Sequence, residues 1–169
     1  MVGLGKRAGV KTIALVTAMD IPLGLTAGNA LEVRESVEVL AGGGPADIVE
    51  LTVLLAREML ETVGITNVDP ADMLKNGKAM DVWRQMISAQ GGDPDAKLPT
   101  AKENLVITAP SGGTILSMDA MKVGLAAWRL GAGRSRQGEA VQAGAGIEMH
   151  AKPGDVVAAG SALYTLHTD

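Results

Sequence analysis

Several residue types are missing or scarce in this chain, and their absence narrows the class of protein. The 169 residues include no cysteine, which excludes disulfide frameworks and thiol nucleophiles. There is no phenylalanine and aromatic residues make up only 2%, so a core must consist of Leu, Ile, Val, Met and Ala. The formal net charge is −4 and no cluster of Lys and Arg forms a basic stripe, which argues against nucleic-acid binding. No apolar run approaches membrane length and no signal peptide begins the chain, so we predict a cytoplasmic protein without a membrane partner.

The chain is rich in apolar residues and in glycine, and its patterns change along its length. Residues 1–9, 29–41, 46–63 and 77–90 predict helices, and the apolar run 11–18 predicts a strand inside a sheet. A polar segment with Gly and Pro, residues 91–100, interrupts the pattern. Short strands are predicted at 103–109, at 113–117 and three times within 145–167, with one helix at 119–130. We therefore predict an α/β (α+β) fold with two domains, residues 1–95 and residues 96–169.

The stretch 19–35, which reads MDIPLGLTAGNALEVRE, joins the first predicted strand to a helix through a Pro-Leu-Gly turn. Asn29 is predicted to cap the helix, with Glu32 at the position of a capping-box glutamate. Glu35 lies one helical turn beyond Leu31, so its carboxylate is predicted to reach back toward the carbonyl groups of residues 23–26. One carboxylate among carbonyl oxygens suits a hard cation. A solvated Glu35 beside an ordinary turn remains the alternative at this point.

The two histidines and one lysine motif are the other places where a functional site could lie, and the sequence supports neither strongly. His150 and His167 have neither a nucleophile and acid at suggestive spacing nor a zinc-ligand pattern, so no catalytic residue is predicted. The tripeptide Ala120-Met121-Lys122 resembles the sequence around the modified lysine of biotin carrier domains, but Lys122 falls inside a predicted helix rather than on a hairpin tip. A stand-alone biotinyl- or lipoyl-like carrier or binding module therefore remains the second functional hypothesis.

Six sequence blocks stand in the same order as in a known enzyme family. They are PLG with GNALEVRE, GGGPADIVELT, GKAMDVWRQMISAQGGD, APSGGTILSMDAMKVG, LGAGR and KPGDVV. Through these blocks the chain closely resembles the C-terminal part of the thymidine/pyrimidine-nucleoside phosphorylase family. The resemblance implies a fragment of a longer protein. Residues 1–95 would be the helix-rich C-terminal portion of the phosphorylase α/β domain, and residues 96–169 a truncated hammerhead-like or barrel-sandwich-like β domain with an inserted helix.

The resemblance also implies an activity for the full-length protein. Such a pentosyltransferase would cleave thymidine or (deoxy)uridine with inorganic phosphate to the free base and (deoxy)ribose 1-phosphate, as a homodimer. The family's phosphate- and base-binding residues would precede Met1, so no catalytic or organic-cofactor residue is assigned, and the fragment alone is expected to be inactive. The resemblance implies a potassium ion bound by the carbonyl groups of Leu23 and Thr26 and the carboxylate of Glu35.

Overall fold

The computed structural model describes residues 1–169 as a mixed α/β protein, which confirms the predicted fold class. The helices are α1 (Val2–Arg7), α2 (Asn29–Leu40), α3 (Ala46–Thr62), α4 (Pro70–Lys75), α5 (Lys78–Ala89) and α6 (Ala120–Ala127), which continues into a π-type turn, Trp128–Ala132. The strands are β1 (Thr26–Gly28), β2 (Glu103–Thr108), β3 (Gly113–Thr114), β4 (Gly146–Met149), β5 (Val156–Val157) and β6 (Ala162–Thr168). Helices thus dominate the first half, and strands with one inserted helix dominate the second.

The main sheet is antiparallel and has the strand order β1-β4-β6-β2. A second sheet consists of β3 and β5 only. Strand β1 precedes α2 in the chain, whereas its neighbour β4 lies in the second half, with Ala27 opposite Ile147. The two halves of the sequence therefore share one sheet, and the turn before α2 is fixed at the edge of that sheet.

The core lies where α6 packs against the central strand β4. Its five buried residues are Met118, Val123, Ala127, Ile147 and Met149, with Tyr164 and Leu166 of β6 packed against them. Met149 is only 1% exposed. In a chain without phenylalanine, flexible methionine side chains fill the irregular space between a helix and a sheet.

The strand predicted at 11–18 is not formed. This segment has no regular secondary structure, and Ile13, Leu15 and Val16 are exposed. A strand needs a neighbour to pair its backbone N–H and C=O groups, and neither sheet includes this segment. The apolar pattern is present, but without a partner strand it does not produce a strand, so this prediction was wrong.

Aspartate side chains cap two of the helices, whereas the cap predicted at Asn29 is not formed. Asp119 caps α6 by accepting a hydrogen bond from the Lys122 N–H at 3.0 Å. Asp69 caps α4 by accepting from the Ala71 N–H, with Pro70 as the first helical residue. Asn29 does not cap α2, because the helix already includes it and its side chain donates to the Ala132 carbonyl at 3.0 Å instead.

Segment 91–100, where the predicted boundary falls, contains neither helix nor strand. Backbone hydrogen bonds nevertheless join the two halves elsewhere, as between the Ala30 N–H and the Ala143 carbonyl at 3.0 Å. The division into domains 1–95 and 96–169 remains a prediction. Among the helices of the structure, none combines the length and the apolar character that a membrane span requires.

Candidate functional site

The turn that leads into β1 has a backbone shape that only glycine adopts easily. Gly24 has φ = +69°, in the left-handed region. A Cβ atom at this position would also collide with the Oε2 atom of Glu35 and the Cδ1 atom of Ile48. The glycine of the Pro-Leu-Gly motif therefore serves two purposes, because it permits the turn and allows α2 and α3 to approach the backbone closely.

Glu35 lies against this turn. Its Oε1 atom accepts a hydrogen bond from the Leu25 N–H at 2.7 Å, and its Oε2 atom accepts one from the Thr26 hydroxyl at 3.0 Å. Glu35 is only 7% exposed, so the alternative of a solvated side chain is wrong. The physical reason is helical spacing, since Leu31, Glu35 and Val39 lie at four-residue intervals and all three are buried.

The two carbonyl groups of the predicted site differ from their neighbours in hydrogen bonding. The Leu25 carbonyl accepts from the Met149 N–H at 2.7 Å. Alternation along an edge strand then turns the Thr26 carbonyl away from β4, toward the open edge of the sheet. The Leu23 carbonyl accepts no hydrogen bond from backbone or side chain. Both carbonyl oxygens are thus available as ligands.

Glu35 has no cationic partner within 4.0 Å, although it is the only buried charged residue. A buried carboxylate without a counter-charge is costly. The acidic and histidine side chains form no cluster of three that could hold a metal ion by themselves. The oxygen ligands that the turn and Glu35 offer are instead one carboxylate, one hydroxyl and the backbone carbonyls of residues 23 and 26, a set that fits a hard, weakly charged cation rather than zinc.

Asp47 and Lys152 contact the other side of the turn, and sequence reasoning missed both. The Oδ2 atom of Asp47 accepts from the Gly24 N–H at 3.1 Å and from the ammonium group of Lys152. The same ammonium group donates to the Pro22 carbonyl at 3.0 Å. The only signal in the sequence is the Lys-Pro-Gly-Asp turn that carries Lys152, and nothing in that motif points to a residue 105 positions away.

The pKa of Asp47 lies below its ordinary value of 3.8. Partial burial alone would raise this pKa, but the hydrogen bond from Lys152, the Gly24 N–H, the positive charge of Lys152 and the Ile48 N–H together outweigh that effect. Asp47 is therefore ionised at neutral pH and forms an ion pair with Lys152 beside the turn.

A cleft of about 350 Å³ opens beside Glu35. Its polar lining includes Thr26, Arg34, Glu38, Glu148 and His150. Arg34 and Glu148 form an ion pair at 3.2 Å across the two halves of the chain. The imidazole of His150 bonds the Thr165 hydroxyl at 2.7 Å, and that of His167 lies 3.2 Å from Glu148.

The structure thus has a β-region, residues 96–169, and a helical region, residues 1–95, which meet at the turn and its Lys152–Asp47 ion pair. The β-region is similar to a known class of domain. Residues 114–169 match the family described as the pyrimidine nucleoside phosphorylase C-terminal domain, a stretch that contains α6, β4, β5 and β6. The rest of the chain is also similar to known proteins, because matches to several relatives cover all 169 residues.

The chain is 56% identical, over 169 residues, to thymidine phosphorylase of Mycobacterium tuberculosis (strain CDC 1551 / Oshkosh), a match that covers 100% of this chain and 40% of the relative. It is 36% identical over 180 residues to pyrimidine-nucleoside phosphorylase of Staphylococcus epidermidis and 34% identical to that of Bacillus subtilis, covering 100% of this chain and 42% of each relative. The chain belongs to the thymidine/pyrimidine-nucleoside phosphorylase family. It corresponds to a C-terminal portion and spans about two fifths of the length of these relatives.

The carrier-module hypothesis finds no support. Lys122 is the third residue of α6, where its N–H is bound by Asp119, and it does not lie at a hairpin tip. The lysine of the Lys-Pro-Gly-Asp turn between β4 and β5, Lys152, is held by Asp47 and is only 23% exposed. Neither lysine therefore lies exposed at the tip of a hairpin, the position that the motif requires.

Proposed function

We propose that the protein of which this chain forms the C-terminal portion catalyses phosphorolysis of pyrimidine nucleosides, thymidine among them. The reaction transfers the (deoxy)ribosyl group from the base to inorganic phosphate and releases the free base. The observation that carries this proposal is 56% identity, along the whole chain, to a thymidine phosphorylase. Because positive charge develops on the sugar during such a transfer, fixed positions for phosphate and nucleoside supply much of the rate enhancement.

The contribution of this chain to that activity is the turn at residues 22–26. We propose that the carbonyl groups of Leu23 and Thr26 and the carboxylate of Glu35 hold a potassium ion. The available carbonyl oxygens and the buried, unpaired carboxylate support this assignment. When bound, the ion would supply a fixed positive charge that fastens a phosphate-side segment to the turn. In this chain, the two carbonyl groups and the Glu35 carboxylate would fix the position of that charge.

The remaining features of the proposed function follow the family. We propose that the full-length protein is a cytoplasmic homodimer whose small-molecule partners are a pyrimidine nucleoside and inorganic phosphate. The chain itself carries no residue assigned to either substrate. The purified 169-residue chain should therefore release no base from thymidine above background.

A chimera tests the function directly. The 40% of the M. tuberculosis thymidine phosphorylase that aligns with this chain would be replaced by the chain's 169 residues. The chimera should release thymine from thymidine in the presence of phosphate and should require potassium for full activity. A folded, dimeric chimera that does not bind or turn over thymidine would contradict the proposal.

A further inference from the structure

Two charged side chains that are not among the proposed cation ligands hold the backbone of the same turn. Lys152 comes from the turn between β4 and β5, and Asp47 is the second residue of α3. We infer that Lys152 and Asp47 are positioning residues that act as a latch, holding residues 22–25 in the shape that keeps the carbonyl of Leu23 free of hydrogen-bond donors. The effect of the latch on a bound cation rests on the proposed function, whereas the effect of the latch on the shape of the turn does not.

Each contact of the latch fixes a different backbone group of the turn. Lys152 donates to the Pro22 carbonyl at 3.0 Å, and Asp47 accepts from the Gly24 N–H at 3.1 Å. Glu35 takes the next N–H, that of Leu25. Hydrogen bonds to charged groups are stronger than neutral ones, so this series over-determines the turn. The carbonyl of Leu23 is left without a donor.

The base of the latch is itself rigid. The Lys152 N–H donates to the carboxylate of Asp155 at 2.7 Å, which closes the Lys-Pro-Gly-Asp turn. Only 23% of the Lys152 side chain is exposed, so few other rotamers are open to it. On the other side, the second carboxylate oxygen of Asp47 accepts from the Ile48 N–H at 2.9 Å at the start of α3. Both charged residues are thus fixed by contacts within their own elements, independently of the ion pair between them.

The pairing also explains how a lysine can approach a cation site. An unpaired ammonium group beside the turn would repel a bound cation, but the carboxylate of Asp47 neutralises it. Among the ion pairs, only Lys152–Asp47 and Arg34–Glu148 join the helical region, residues 1–95, to the β-region, residues 96–169. Of these two, only Lys152–Asp47 bonds the backbone of the turn. The latch therefore makes the shape of the turn depend on the position of the β-region.

Amide hydrogen exchange on the 169-residue chain, in buffer free of potassium, tests the latch without the cation. Each variant is scored at an amide that the mutated side chain does not itself bind: Gly24 in Lys152→Met, and Leu25 in Asp47→Ala. Exchange should rise about tenfold at these amides, since a loosened charged hydrogen bond opens the turn locally. The amide of Ile147 in β4 should not change.

Lys102→Met is the matched control, because Lys102 lies in the same half of the chain with 78% of its side chain exposed. Lys152→Arg should keep the exchange of Gly24 near that of the wild type. If Lys152→Met does not fold, Lys152→Gln gives the same comparison with a smaller change. Wild-type exchange at Gly24 and Leu25 in the folded variants would overturn the latch.

Potassium titration of the chimera tests the consequence. Lys152→Met should raise the potassium concentration for half-maximal activation by about threefold to tenfold, with turnover at saturating potassium within about twofold of wild type. Lys152→Arg should restore the curve, and an unchanged curve in Lys152→Met would overturn the positioning role. A wild-type chimera without potassium activation would contradict the proposed function instead, and hydrogen exchange would then decide the latch.

Discussion

Strand β4 and helix α3 both carry strong apolar patterns, yet only the strand is buried. In β4, Gly146, Ile147 and Met149 are buried because β1 and β6 flank the strand and α6 covers it. Helix α3 is the longest element, with 17 residues, and none of them is buried. The difference teaches that a periodic pattern suffices to form a helix, whose backbone bonds are internal, but that burial depends on neighbours.

The largest expected effect comes from a matched pair of methionines, one in each region. Met149→Ala in β4 should lower the free energy of unfolding by about 2–5 kcal/mol, because it opens a cavity in the core. Met59→Ala in α3, where the side chain is 65% exposed, should change it by less than about 0.5 kcal/mol. Urea unfolding of both variants checks this, and equal effects would mean that the burial contrast does not govern stability.

The next expected effect is a difference in stability between alanine substitutions at two glycines with positive φ. Gly24 lies in the turn between the two regions, and Gly64 follows α3 with open space around it. Gly64 has φ = +80° with nothing near its missing side chain, so Gly64→Ala should cost only the backbone strain, about 1 kcal/mol. Gly24→Ala adds a collision with Glu35 and Ile48 and should cost about 2–4 kcal/mol. Thermal unfolding of the two variants gives the comparison, and a smaller loss for Gly24→Ala would show that α2 and α3 do not press on the turn.

A smaller effect is expected at Glu35, where charge can be removed with little change in packing. In Glu35→Gln, the new amide could still accept from the Leu25 N–H and donate to the Thr26 hydroxyl, so the fold should remain intact. In the chimera, the potassium requirement of this variant should rise about tenfold, because the only ionic ligand is lost. Glu32→Gln, on the exposed side of α2, is the control. Coincident potassium activation curves for Glu35→Gln and wild type would remove Glu35 from the cation site.

Much of the fold and one central residue of the site could be predicted from sequence, because both depend on local spacing. The helices follow from apolar periodicity, and the approach of Glu35 to the turn follows from its distance to Leu31. The burial of Glu35, the partner of Asn29 and the ion pair of Asp47 with Lys152 could not be predicted, since each depends on residues distant in sequence. The strand prediction at 11–18 was wrong for the same reason, because strand formation requires a partner strand that no local pattern specifies.

The smallest expected effect is the pH dependence of the ion pair that joins the two regions. The pKa of Asp47 in the folded chain lies below 3.8, its ordinary value. A depressed carboxyl pKa contributes stability that is complete above the unfolded value and is lost as the pH falls through the folded value. The Asp47 side chain is 40% exposed, so solvent screening should keep this contribution below about 1 kcal/mol.

Urea unfolding between about pH 6 and about pH 2.5 should therefore show a loss of stability on acidification that is smaller in Asp47→Asn than in wild type. Asp95→Asn, which alters an exposed ion pair with Arg84 away from the turn, is the control. If Asp47→Asn and wild type lose stability in parallel, the charge of the Lys152–Asp47 pair contributes nothing to holding the helical region and the β-region together.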